Sequence, residues 1–269
     1  MAELVVQSAD GTRISSQSYG EGRPLVVVSG ALFASELWRR VVPLLCDERA
    51  VYVVDRRGRG KSGNAAAYAP EREIEDLLAV LATLPGPVDL LGHSSGGILS
   101  LQVAQRQPPN LSRLIVYEPP VFFGEADRIA DDLPERLDAL LASGRPEAAV
   151  ETFFREGPRA SEAELCNMKA GPAWAQMVTA LAHTVPYDSR VQCSFSTDLS
   201  ALSRVRVPTL LLRGTASPAR MQSAAETIAR ALPNARLGEL VGQQHVAMLL
   251  APTLFAAAVN EFLQATNTF

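Results

Sequence analysis

Short apolar runs alternating with helix-like segments constrain this chain more than any other feature of its sequence. PLVVVSG (24–30), AVYVVD (50–55), PVDLLGHS (87–94) and LSRLIVYE (111–118) are such runs, each closed by glycine or a polar residue. ELWRRVVPLL, EREIEDLLAVLATL (71–84) and GGILSLQVAQRQ lie between them with helical spacing. The second of these places its acidic residues first and an apolar stripe after, as an amphipathic helix should. Continuous apolar runs suit strands buried on both faces, and their alternation with helices predicts a mostly parallel sheet flanked by helices. VPTLLLRG (207–214), ARMQSAAETIARALP, ARLGELVG and APTLFAAAVNEFLQA continue the pattern to the end. ELVVQS and RISSQSYG, around the turn signal ADG, read as an opening pair of strands.

The alternation breaks after Pro120. From Val121 to Ser196 the patterns are helical (ADRIADDLPERLDALLAS, PEAAVETFF, PAWAQMVTALAH) and contain no convincing strand. The expected organisation is therefore an α/β core made of 1–120 and 197–269, with 121–196 inserted as a helical lid. Phe122, Phe123, Phe153, Phe154, Met168, Trp174 and Met177 make this block apolar. That suits either a substrate with an apolar part or simply the core of the insertion.

A chain of 269 residues has room for one such domain with an insertion. No apolar stretch approaches the length of a membrane span, and MAELVVQSADG lacks the basic and apolar regions of a signal peptide. Cys46, Cys166 and Cys193 form no motif and leave one unpaired, which fits a reducing cytoplasm. A net charge of −4 gives no electrostatic reason to bind nucleic acid. The basic cluster RRGRGK (56–61) is short and reads as a solvated loop. The histidines and cysteines lack metal-ligand spacing, so no metal is expected.

LLGHSSGG (90–97) contains G-x-S-x-G, formed by Gly92, Ser94 and Gly96. A strand runs straight into the motif and a helix straight out, the setting this motif requires. A sharp turn there lifts the serine hydroxyl above the sheet edge, and the two glycines have no Cβ to strike the neighbouring strand and helix.

With this motif the chain resembles the α/β-hydrolase superfamily over nearly its whole length. PLVVVSG with Trp38 after it, DRRGRGKS (55–62), GHSSGG (92–97), YEPP (117–120), VPTLLLRG and GQQH (242–245) occur in the order that superfamily uses. The resemblance implies Ser94 as nucleophile and His245 as its base, since the order in this fold is serine, acid, histidine. Of the other histidines, His93 sits inside the motif and His183 in the helical block. The resemblance also implies an oxyanion hole made by the backbone N–H groups of Ser95 and Ala31. Relatives usually have His-Gly before the second donor; this chain has Ser29-Gly30.

A larger departure concerns the acid. In most relatives the loop after VPTLLL reads G-x-x-D, whereas here Gly214 is followed at the fourth position by Ser217. A hydroxyl carries no charge to stabilise an imidazolium. Glu118 ends the preceding strand, and some haloalkane dehalogenases carry their acid after that strand, so Glu118 is the expected substitute. A carboxylate there has other uses: to cap the first turn of the insertion, or to pair with an arginine. Asp55, Asp89 and Asp198 read as structural.

The resulting expectation is a cofactor-free serine hydrolase acting on a small-molecule ester, thioester or lactone. A serine at this point argues against epoxide hydrolase or dehalogenase chemistry, for which relatives use aspartate. Two alternatives stay open: a lyase or cyclase using Ser94 and His245 for proton transfer, and a binding protein that has lost catalysis.

Overall fold

A computed structural model describes residues 2–65, 67–121, 123, 129–195 and 198–265. At its centre lies β3 (Arg23–Val28), buried from Pro24 onward and parallel to both β4 (Arg49–Asp55) and β5 (Val88–His93). β6 (Leu111–Tyr117), β7 (Thr209–Gly214) and β8 (Ala235–Leu240) extend the sheet in parallel. On the other side β2 (Arg13–Tyr19) runs antiparallel to β4, and β1 (Ala2–Gln7) antiparallel to β2. The order is β1-β2-β4-β3-β5-β6-β7-β8 in one eight-stranded sheet.

Helices cover both faces because the central strands carry apolar side chains toward both: Leu25 to Val28 of β3 are a continuous buried apolar run. Successive side chains point to opposite faces. Val26 and Val28 pack on one side with Ile74, Leu77 and Leu99, from α2 (Pro70–Thr83) and α3 (Ser95–Gln105), and with Ile228 from α9 (Ala219–Ala231). Leu25 and Val27 pack on the other with α1 (Val42–Leu45) and with Phe255 and Phe262 of α11 (Pro252–Gln264), which follows the short α10 (Ala247–Leu250). The α/β-hydrolase fold expected from the sequence is the fold observed.

Between β6 and β7 the described residues contain no strand. They form α4 (Leu133–Ala142), α5 (Pro146–Glu156), α6 (Glu162–Ala170), α7 (Trp174–Gln176) and α8 (Val185–Ser194). Leu133, Leu137, Val150, Phe153 and Val185 give this insertion its own core, which also takes in Leu32 from the exit of β3. Phe154, Met168, Trp174 and Met177 belong to that core as well, whereas Phe123 packs against the main core. Phe122 and the boundary residues Ser196 and Thr197 lie outside the described residues.

Three segments with helical patterns depart from regularity. ELWRRVVPLL divides into a 3-10 turn, Ser35–Trp38, and α1. Pro43 in the first turn of α1 has no N–H for the carbonyl of Arg39, so one continuous helix cannot form. In ADRIADDLPERLDALLAS, α4 begins only at Leu133, with Pro134 in its first turn; Ala126–Arg128 lie outside the described residues. PAWAQMVTALAH becomes α7, a π-helical turn at Met177–Leu181 and a 3-10 turn at Ala182–Thr184. Among the described residues no helix is long and apolar enough to cross a membrane.

The turn from β5 into α3 depends on close approach. A Cβ on Gly96 would lie 2.5 Å from the carbonyl oxygens of both Val28 and Ser29. Because those atoms are backbone at the centre of the sheet, they cannot move aside cheaply. Gly96→Ala should lower stability by about 1–3 kcal/mol, seen as a lower urea midpoint with an unchanged slope.

Candidate active site

Ser94 sits between the last residue of β5 and the first of α3, with φ 56° and ψ −128°. A side-chain-bearing residue with positive φ is held there only by its surroundings. The Ser94 N–H donates to the Tyr117 carbonyl at 2.9 Å, and the Ser94 carbonyl accepts from the Gly97 N–H at 2.8 Å. The loop leaving β3 passes very near: a Cβ on Gly30 would fall 2.6 Å from the Cβ of Ser94. This brings Ala31 alongside the elbow. The N–H groups of Ala31 and Ser95 donate to no acceptor among the described residues.

Glu118 follows β6 directly and also has a left-handed backbone, φ 46°. Its N–H donates to the Leu212 carbonyl at 3.1 Å, tying it to β7. The carboxylate is completely buried, and one oxygen lies 2.9 Å from Nδ1 of His245. The other oxygen accepts from the Gly214 N–H at 2.7 Å and from the Ser217 hydroxyl at 2.5 Å. Ser217 thus donates to the carboxylate of the neighbouring strand. The partners described for Glu118 include no arginine, and it caps no helix of the insertion. Burial raises the carboxyl pKa, but the hydrogen bond and charge of His245, with the donors Ser217 and Gly214, outweigh it and leave a net lowering.

His245 lies in the loop between β8 and α10. Its carbonyl accepts from Nε2 of His93 at 2.9 Å, and the preceding Gln244 carbonyl accepts from the Tyr117 hydroxyl. With Nδ1 facing a carboxylate, the neutral ring carries its proton on Nδ1 and its lone pair on Nε2. The His245 side chain is 36% exposed whereas Glu118 is at 0%, so only the imidazole can be reached from outside. Its Nε2 and the Ser94 hydroxyl hydrogen-bond to no described residue, leaving both available to a substrate.

His93 is buried, and its pKa lies far below the usual histidine value because of burial and the neighbouring His245. It is a neutral donor to backbone. His183 bonds the Gly58 carbonyl at 2.9 Å from the insertion. Asp55 receives the N–H groups of Ser35 and Lys61, Asp89 pairs with Arg23 and Arg49, and Asp198 caps a 3-10 turn.

The reading of RRGRGK as a solvated loop is wrong. Arg56, Arg57 and Arg59 are buried, at 3%, 0% and 2% exposure. Arg57 pairs with Asp76 and Asp10; Arg56 pairs with Glu73 and with Asp188 of α8; Arg59 pairs with Asp188. These acids lie far along the chain, so the local sequence holds only half of the pattern. The acidic positions Glu73 and Asp76, one turn apart on an otherwise apolar face of α2, were the available sign.

Residues 25–258 match the model of the alpha/beta hydrolase family. The chain belongs to that family. It is 37% identical to an alpha/beta hydrolase from Sphaerobacter thermophilus, whose crystal structure superposes with a TM-score of 0.89 over 97% of this chain and 100% of that one. It is 27% identical to (E)-2-((N-methylformamido)methylene)succinate hydrolase of Acinetobacter baylyi, over 92% of each chain. A putative carbamate hydrolase of Azorhizobium caulinodans is 26% identical over 91% of each. A hydrolase role is thereby supported.

A carboxyl pKa lower in the folded state than in the unfolded chain adds stability above the unfolded value, near ~4.3, and that stability is lost as pH falls through the folded value. Glu118→Gln should therefore flatten this part of the acid limb. Urea midpoints measured from about pH 6 to about pH 3 should fall less steeply in the variant than in the wild type.

Proposed function

We propose that the protein is a serine hydrolase cleaving an ester, thioester or lactone through an acyl-Ser94 intermediate. The observation that carries this reading is the 2.9 Å contact of Glu118 with His245 Nδ1, beside a serine held on a left-handed elbow. In this mechanism the Ser94 oxygen attacks the substrate carbonyl carbon while Nε2 of His245 takes its proton. Glu118 balances the imidazolium charge. The Ala31 and Ser95 N–H groups receive the developing oxyanion. Collapse of the tetrahedral species expels the alcohol or thiol, which leaves with the proton from Nε2. Water then attacks the acyl carbon with His245 again as base, releasing the acid and restoring Ser94.

The helical insertion acts as the lid of this pocket. Support comes from its core, which takes in Leu32, and from Asp188 of α8, which hydrogen-bonds Ser95 beside the elbow. An apolar part of the substrate fits the half-buried Phe33 at the β3 exit, whose ring lies 6.4 Å from that of His93.

A fluorophosphonate probe should label the wild type at Ser94 and leave Ser94→Ala unlabelled. On a panel of acyl esters, thioesters and lactones, Glu118→Gln should lose about ten-thousand-fold in kcat while staying folded, because an amide cannot balance the imidazolium. Ser217→Ala removes one donor and no charge, so about tenfold is expected. Equal labelling of Ser94→Ala, or near-normal turnover by Glu118→Gln, would instead favour non-hydrolytic chemistry or simple ligand binding.

A further inference from the structure

A buried group of charges next to the elbow has no place in the proton transfers above. Arg56 is at its centre. Its Nε and Nη2 donate to the two oxygens of Glu73, each at 2.7 Å. Its Nη1 donates to Asp188 at 2.7 Å, to the Ser95 hydroxyl at 3.0 Å and, more weakly, to the Ser29 carbonyl at 3.4 Å. The Ser95 hydroxyl donates in turn to the same Asp188 oxygen at 2.8 Å, and the second oxygen of Asp188 accepts from Arg59 at 2.5 Å. Side chains of Arg56, Arg59, Glu73 and Asp188 are all at most 2% exposed.

Burying two cations and two anions costs several kcal/mol per ion, and apolar side chains of equal volume would often be as stable or more so. Stability alone is therefore a weak reason for this cluster. Its contacts suggest another. One guanidinium nitrogen reaches both walls of the oxyanion hole: Ser29, two residues before Ala31, and Ser95 itself. The anion that completes the bridge comes from the insertion.

We infer that Arg56 and Asp188 form a positioning pair that fixes the spacing of the Ala31 and Ser95 N–H groups, making helix α8 a fixed part of the catalytic site. The inference rests on the serine-hydrolase reading. The Ser95 hydroxyl has both its donor and one acceptor position committed to charged partners. Such bonds are short and roughly twice as strong as neutral ones, so the side chain holds the first turn of α3 in one orientation. Swinging α8 away from the elbow would strip Arg56 and Arg59 of Asp188 and leave buried charge unbalanced. Opening of the lid is therefore confined to parts of the insertion other than α8.

The test uses Ser95→Ala, which keeps the backbone N–H and removes only its tether, and Asp188→Asn, which keeps shape and removes charge. Each should lower kcat about ten- to a hundredfold with KM nearly unchanged. Each should weaken inhibition by a trifluoromethyl ketone, whose adduct carries the oxyanion, in proportion to kcat. Backbone amide order parameters at Ala31 and Ser95, read by 15N relaxation, should fall in both variants, a readout that needs no turnover. Ser95→Ala guards against a folding failure of Asp188→Asn. If kcat, ketone affinity and these order parameters in Ser95→Ala all match the wild type, the positioning role is overturned while the hydrolase reading stands. If the wild type is not acylated at Ser94, the hydrolase reading falls, and the order parameters alone then decide whether the pair orders the two amides.

Discussion

Parallel pairing of β5, β6 and β7 is the constraint from which the site follows. In the β5–β6 register His93 faces Tyr117, so the next residues, Ser94 and Glu118, leave the sheet side by side. In the β6–β7 register Tyr117 faces Leu212, which brings Gly214 and Ser217 under the Glu118 carboxylate. The His245 loop, leaving β8, is held from below by His93 and Tyr117, the last residues of β5 and β6. A shift of one residue in either register would turn these side chains to the opposite face. The site is thus as rigid as the ladder that carries it.

Both residues at the strand ends carry backbone strain. A sparsely populated backbone conformation costs about 1–3 kcal/mol, and Ser94 and Glu118, each just past the end of one of two adjacent strands, both have positive φ. At Glu118 the opposing interactions are larger. Hydrogen bonds to a charged group contribute about 1.5–3 kcal/mol each, and the carboxylate receives three, from His245, Gly214 and Ser217. This also explains Ser217. In place of a charge on the loop after β7, the chain has a donor that steadies a charge one strand away.

Much of this was legible because it is local. Apolar runs closed by glycine or polar residues mark the strands, G-x-S-x-G marks the elbow, and Ser217, set against the family's G-x-x-D pattern, points to Glu118. Departures arose where distant residues decide the outcome. RRGRGK looks solvated because Glu73 and Asp188, which neutralise it, lie on α2 and α8. ELWRRVVPLL has helical spacing, yet Pro43 removes the N–H that would join its halves. PAWAQMVTALAH has an apolar pattern but yields to the packing of Trp174, Met177 and Leu181 within the insertion. The aromatic residues of the insertion are mostly spent on its own core, so they carry little information about the substrate.

The claim that Glu118 supplies the charge for His245 is tested most directly by proton NMR of the imidazole. A Nδ1–H donating to a buried carboxylate gives a far-downfield resonance, well apart from the amide region, that survives exchange with water. The wild-type protein should show one such signal, assigned to His245 by its loss in His245→Asn. It should be absent or shifted back toward ordinary imidazole positions in Glu118→Gln. A wild-type spectrum without that signal, or one unchanged by Glu118→Gln, would contradict the assignment of Glu118 as the partner of His245.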